Sequence, residues 1–213
     1  WISFFTLDRI FFIIYNLNGL EISIIKKIEP IWQGLRLDLA TACYLTFPIF
    51  IIWLISFFIH IKNEHKIIKI YFILIIPILV FGIILNLEIY NQWGHQVNRD
   101  TISYLKYPKE AWASSLNSPL LILMSLVTVI TYLFLRWSKY ISKLNWQLVD
   151  KISIFNIKDI SIRALKILAV FIIYALCMRG GIQLSPINQS FAYYSKEPAL
   201  NAAAVNTIYN YFY

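Results

Sequence analysis

The 213 residues are 59% hydrophobic and only 14% charged, with a mean hydropathy of +0.64. A soluble domain of this size has no way to hide that much apolar surface, so an ordinary soluble fold is excluded and part of the chain must face lipid. The net charge of +8 is scattered between apolar runs. That placement fits topology signals and anionic lipid headgroups, and argues against a nucleic-acid partner.

Five apolar segments follow one another, at about 1–17, 37–60, 67–89, 118–137 and 162–178. The middle three easily reach the roughly 20 residues a crossing helix needs, whereas the last needs a partly interfacial start. The expected fold class is therefore an all-α integral membrane protein, with five transmembrane helices and amphipathic interfacial helices. Residues 1–180 would form the membrane domain and 181–213 a connector beyond it. The chain opens on Trp1, inside an apolar run, and reads as a fragment whose own start is missing. Its first segment would serve as the insertion signal. Pro48 and Pro77 fall inside the second and third segments, where each removes a backbone donor and favours a packing kink.

Charges between the segments set the orientation. Lys62, Lys66 and Lys69 follow the second segment, and Arg136, Lys139, Lys143, Lys151, Lys158, Arg163 and Lys166 follow the fourth. These links are the most basic and should be cytoplasmic, placing the N-terminus inside and everything after Arg179 outside. Within the 139–157 link, Ile141, Leu144, Leu148, Ile152 and Phe155 share one stripe at helical spacing. This fits a helix lying on the inner membrane surface, or one packed on the bundle and facing solvent. The stretch 88–117 holds Tyr90, Trp93, Tyr104, Tyr107 and Trp112, aromatic residues that favour the membrane–water boundary, and Pro108 opens a short helix there. After Arg179-Gly180-Gly181 the chain turns polar and aromatic, and Pro198 opens another helix.

Three of these pieces, in this order, resemble the membrane portion of the lipoteichoic acid synthase family. They are GLRLDLA at 34–40, LEIYNQWGHQVNRDTISYLKYPKE at 87–110, and RGGIQLSPINQSFAYYSKEPALNAAAVNTIYNY at 179–211. The resemblance implies five spans in the bacterial cytoplasmic membrane, followed by a large extracytoplasmic α/β domain of alkaline-phosphatase type. That domain would hold a divalent metal, usually manganese, and a threonine nucleophile that attacks the headgroup phosphate of phosphatidylglycerol. A phosphoglycerol-enzyme intermediate would release diacylglycerol and pass its unit to an acceptor. None of those catalytic residues maps onto this sequence, so the chain by itself is expected to anchor the catalytic domain and present lipid, without catalysis of its own. Phosphoethanolamine transfer, sulfatase-type hydrolysis and a scaffold role in a larger membrane complex stay open. A transporter is disfavoured, because no internal repeat or paired broken helices are visible.

Charged residues in or beside apolar segments are the candidate site residues. Arg36 and Asp38 sit two apart, paired with each other or with Glu88, or with Arg36 free to fork onto a lipid phosphate. Asp8 and Arg9 read as an ion pair, mutual or between helices. Arg99 and Arg179 would join Arg36 in a basic rim for an anionic headgroup, with Arg179 otherwise snorkelling. Glu88 and His95 read as packed or solvated groups, not an acid–base pair. His60, His65 and His95 fall on opposite faces and share no metal; no P-loop or GxSxG pattern occurs. Cys43 and Cys177 lie in separate apolar runs and read as packing residues, with no CxxC to suggest zinc.

Overall fold

The structure is a computed structural model that describes residues 1–19, 21–56, 59, 61, 63–98, 101, 103, 106–116, 118–141 and 157–211. Among these residues every regular element is helical. In chain order they are α1 (Ile2–Asn16), α2 (Ile24–Gln33), α3 (Leu35–Ser56), α4 (Glu64–Trp93), α5 (Pro108–Ser115), α6 (Leu120–Ile141) and α7 (Ile157–Arg179). A 3₁₀ turn (Gln189–Ala192), α8 (Pro198–Ala204) and α9 (Thr207–Asn210) complete the chain.

Among the described residues, three helices are long and apolar enough to cross a membrane: Ile24–Ser56, Glu64–Trp93 and Leu120–Tyr140. The expected spans at 1–17 and 162–178 are not among them. Helix α1 has 15 residues, about 22 Å at 1.5 Å per residue, against a hydrocarbon core of roughly 30 Å. Helix α7 has 23 residues, and Lys158, Asp159, Arg163 and Lys166 fall in the first half of its sequence. Its uninterrupted apolar part, 167–178, is about 18 Å long.

Helix α2 occupies a stretch that reads as a polar link, and it runs almost directly into α3. Gly34 between them keeps a helical φ of −81°, and its N–H donates to the Pro30 carbonyl. Ile24, Ile25, Ile28 and Trp32 are exposed along α2 while Pro30 is buried. Both long helices continue through their prolines, Pro48 in α3 and Pro77 in α4. The inner-surface helix expected over 139–157 falls largely on 142–156, outside the described residues.

Contact pairs fix the helix directions. Trp1 meets Phe72 and Asn16 meets the Leu87 carbonyl, equal steps along both chains, so α1 and α4 are parallel. Phe4, Phe5 and Phe12 of α1 are buried with Val80, Ile83 and Ile84 of α4, and Phe4 meets Phe134 of α6 edge-on at 4.6 Å. Helices α3 and α7 run antiparallel, as the pairs Thr46–Tyr174 and Phe50–Phe171 show. No residue in the most apolar window of α6 is fully buried; Leu123, Val127, Ile130 and Phe134 pack on the core while its other faces are exposed.

The segment 187–211 does not stand away from the helices. Ile187, Ala192, Leu200, Ala203, Ala204, Val205, Ile208 and Tyr209 are buried, packed over the end of the bundle where α1 finishes and α3 begins. In lipid, apolar side chains gain little by leaving one oily environment for another, so close packing and polar contacts must carry such an assembly.

Candidate functional site

A buried polar network ties the C-terminal segment to the bundle. Arg9 Nη1 and Nη2 donate to Asp38 Oδ2 and Oδ1 at 2.6 and 2.8 Å. Both side chains are nearly inaccessible, at 2% and 0% exposure, so this is a fork-on-fork ion pair between α1 and α3. The same guanidinium donates from Nε to the Ala203 carbonyl at 3.0 Å and from Nη2 to the Ala204 carbonyl at 3.2 Å. It thereby supplies donors to the end of α8, where helix carbonyls lack partners. Asn206 Nδ2 adds a 2.8 Å bond to Asp38 Oδ1, while Asn206 Oδ1 accepts from Tyr209 N and caps α9.

Asn86, fully buried in α4, continues the network. Its Oδ1 accepts from Val97 N at 2.9 Å and its Nδ2 donates to Thr207 Oγ1 at 3.3 Å. Asn210 Nδ2 donates to the Val97 carbonyl at 2.8 Å, Gln96 Nε2 to the Ala202 carbonyl at 2.9 Å, and Tyr211 OH to the Gly82 carbonyl at 2.7 Å. Asp8 is buried near Thr207, and its Oδ1 has no partner.

These contacts re-assign the expected pairs. Arg9 forms the interhelical alternative, its partner being Asp38, so that Asp38 does not go to Arg36 and Arg9 does not pair with its neighbour Asp8. Glu88 accepts from Tyr15 OH at 2.8 Å and Gln92 Nε2 at 2.6 Å, with no arginine partner among the described residues. His95 lies against Trp93 and near the Gln96 carbonyl, away from Glu88's partners. Arg99 lies outside the described residues.

Arg36, released from Asp38, meets the loop that ends α7. That loop opens with a Schellman turn. Gly181 N donates to the Leu176 carbonyl and Gly180 N to the Cys177 carbonyl, with both glycines at positive φ, 79° and 126°. Side chains avoid this backbone region, so the Gly-Gly pair is what lets the chain reverse here. Arg36 Nη2 donates to the Gly180 carbonyl at 2.7 Å and to Gln183 Oε1 at 2.8 Å, and its guanidinium lies 5.0 Å from the Phe191 ring centre. Arg179 donates from Nη2 to the Gln183 and Leu184 carbonyls at 3.1 and 2.5 Å.

Two exposed guanidiniums thus converge on Gly180–Leu184, and neither forms an ion pair among the described residues. Ile182 and Leu184 stand out between them, 90% and 100% exposed. An uncompensated pair of guanidiniums beside protruding apolar side chains suits a ligand with an anionic head and an oily body. Metal chemistry has no comparable footing here. Among the described residues no three His, Cys, Asp or Glu side chains come together as a ligand set, so no step is placed on a metal.

The charge pattern of the sequence marks Arg36, Asp38, Arg9 and Arg179 and allows Arg9 an interhelical ion pair, without naming its partner. It passed over Asn86, Asn206 and Gln183; an asparagine deep in an apolar helix, as Asn86 is, was the available signal. Comparison with protein-family models, curated proteins and solved structures finds no match to this chain.

Proposed function

We propose that the chain is the membrane domain of an envelope enzyme that transfers phosphoglycerol or a similar lipid headgroup, anchoring the catalytic domain and presenting anionic phospholipid to it. The observation that carries this reading is the convergence of Arg36 and Arg179 on one glycine-turned loop, with Ile182 and Leu184 projecting beside them. In the proposed orientation the basic links lie in the bacterial cytoplasm and this loop lies at the outer leaflet. Helices α1 and α7 complete five crossings with help from interfacial residues. The lipoteichoic acid synthase resemblance of residues 34–40, 87–110 and 179–211 supports the same reading.

The bound lipid's phosphate would sit on the two guanidiniums and its acyl chains against the apolar loop tip. The reacting groups, a threonine nucleophile and a divalent metal, belong to the catalytic domain that the resemblance implies after the connector. Pinning 187–211 onto the bundle would hold that domain at a set height over the headgroups. The test is headgroup release by the complete gene product in vesicles containing phosphatidylglycerol. Diacylglycerol should form, and Arg36→Ala should slow its formation without reducing the amount of protein in the membrane. No diacylglycerol from the complete protein, or turnover indifferent to Arg36, overturns the proposal.

A further inference from the structure

The chain has two cysteines, far apart in sequence, and the fold brings them together. Along the antiparallel α3–α7 pair, Thr46 Oγ1 and Tyr174 OH lie 2.9 Å apart, Tyr174 OH also bonds the Cys43 carbonyl, and Phe50 stacks on Tyr174 at 4.2 Å. Cys43 lies three residues before Thr46, and Cys177 three residues after Tyr174. Residues three apart share a helix face, so the register that pairs Thr46 with Tyr174 also pairs the cysteines. The two thiols are close enough to influence each other electrostatically and are both free, with Cys43 buried and Cys177 partly exposed. Nothing in the expected headgroup chemistry uses them.

We propose that Cys43 and Cys177 are a disulfide-forming site that fastens α3 to α7 when a lipid-soluble oxidant of the quinone class reaches them. The neighbouring surface of α7 is apolar and exposed at Ile172, Ile173 and Leu176, so an apolar oxidant has access that a charged, water-soluble one lacks. The step balances without another reactant. Each thiol loses its proton, the two sulfurs together lose two electrons as the S–S bond forms, and the quinone takes up both protons and both electrons to become a quinol. Thiols on facing positions of two packed helices need only side-chain rotation and a small approach to reach disulfide bonding distance. The cross-link falls just before the Schellman turn, so it clamps the base of the loop held by Arg36 and Arg179.

The experiment uses the full chain in membrane vesicles, reduced and then treated with decylubiquinone. After denaturation, free thiols are tagged with a maleimide polymer. Wild type should lose both of its tags, run as a monomer on a non-reducing gel and become lighter by two hydrogens. Cys43→Ser and Cys177→Ser should each keep their remaining tag under the same treatment. Oxidised glutathione should leave the wild-type thiols free. Persistence of both wild-type tags after quinone treatment, disulfide-linked dimers, or equal oxidation by glutathione disulfide would each overturn the proposal.

Discussion

Arg9 on α1 and Asp38 on α3 face each other through two hydrogen bonds, and the guanidinium has donors left for two carbonyls at the end of α8. Three parts of the chain therefore meet at one side chain. Removing Arg9 leaves Asp38 buried, with Asn206 Nδ2 its remaining side-chain partner among the described contacts. Breaking one side of a buried pair typically costs about 3–5 kcal/mol. Arg9→Ala should therefore fail to accumulate or unfold far more readily in detergent. Arg9→Lys should recover only part of the loss, because an ammonium cannot fork onto the carboxylate and also reach both carbonyls. Equal denaturation midpoints for wild type and Arg9→Ala would show that the pair is incidental.

Gly34 is the small residue that permits this approach. A Cβ there would collide with Arg9 Nη2 and Cζ and with the Ala204 carbonyl oxygen. The backbone is in an ordinary helical conformation, so the demand on this glycine is spatial. Gly34→Ala should destabilise by at least the ~1–3 kcal/mol of an overpacked core, even though alanine is the better helix former. A midpoint that rises, as helix propensity alone would dictate, contradicts the packing described here.

Tyr194 gives a prediction of opposite sign. Its hydroxyl is buried without a hydrogen-bond partner. Burial, with the Glu29 carboxylate adding to it, pushes its ionisation from the usual 10 up to about 12. Tyr194→Phe should leave stability equal or slightly raised near neutral pH, since it removes an unsatisfied polar group. Below pH 10 the phenol is neutral in both folded and unfolded chains, and its contribution is fully present. Between 10 and about 12 the unfolded chain ionises while the folded one keeps its proton, so that contribution falls as pH rises. The wild type should therefore lose stability relative to Tyr194→Phe across this window. A difference that does not change with pH refutes it.

Much of the scaffold was legible because helical periodicity and apolar length are local signals. The segments at 37–60, 67–89 and 118–137 correspond to Leu35–Ser56, Glu64–Trp93 and Leu120–Ile141. Pro108 and Pro198 do open short helices, since proline suits a first turn that needs no donor. Helix α2 was hidden because Pro30 and Gly34 normally end helices, and here the chain runs through both. The partners of the charged residues were hidden for another reason. Arg36 and Asp38 are two apart, which on a helix points them to different sides. Asp38 then turns inward to Arg9, and Arg36 turns toward the loop after α7. Only the long-range packing of 187–211 decides this, and no periodicity encodes it.

Orientation is testable on the same chain. In a background carrying Cys43→Ser and Cys177→Ser, Lys196→Cys is an exposed position after α7 and Lys66→Cys an exposed position at the start of α4. With the basic links held in the cytoplasm, an impermeant thiol reagent added to intact spheroplasts should label position 196 and spare 66. Disruption of the membrane should make both react. Labelling of 66 alone in intact cells reverses the proposed topology and would move the Arg36–Arg179 loop to the wrong leaflet for an extracytoplasmic transferase.

The headgroup site makes the most specific demand. Arg36 is exposed and holds the loop through Gly180 and Gln183, so losing it removes both a charge and a tether. A charge-assisted hydrogen bond is worth roughly 1.5–3 kcal/mol, so Arg36→Ala should weaken retention of phosphatidylglycerol by about tenfold or more. Retention of zwitterionic phosphatidylcholine should change little, as read by native mass spectrometry of the detergent-released protein. Arg36→Lys keeps the charge but not the fork and should fall between the two. Arg179→Ala should weaken binding of the same lipid, because its guanidinium is bonded to the same five-residue turn. Unchanged melting of each variant is the control that separates lipid binding from folding. If Arg36→Ala melts early and loses both lipids alike, the guanidinium is a structural strap, and the anionic headgroup must be held elsewhere.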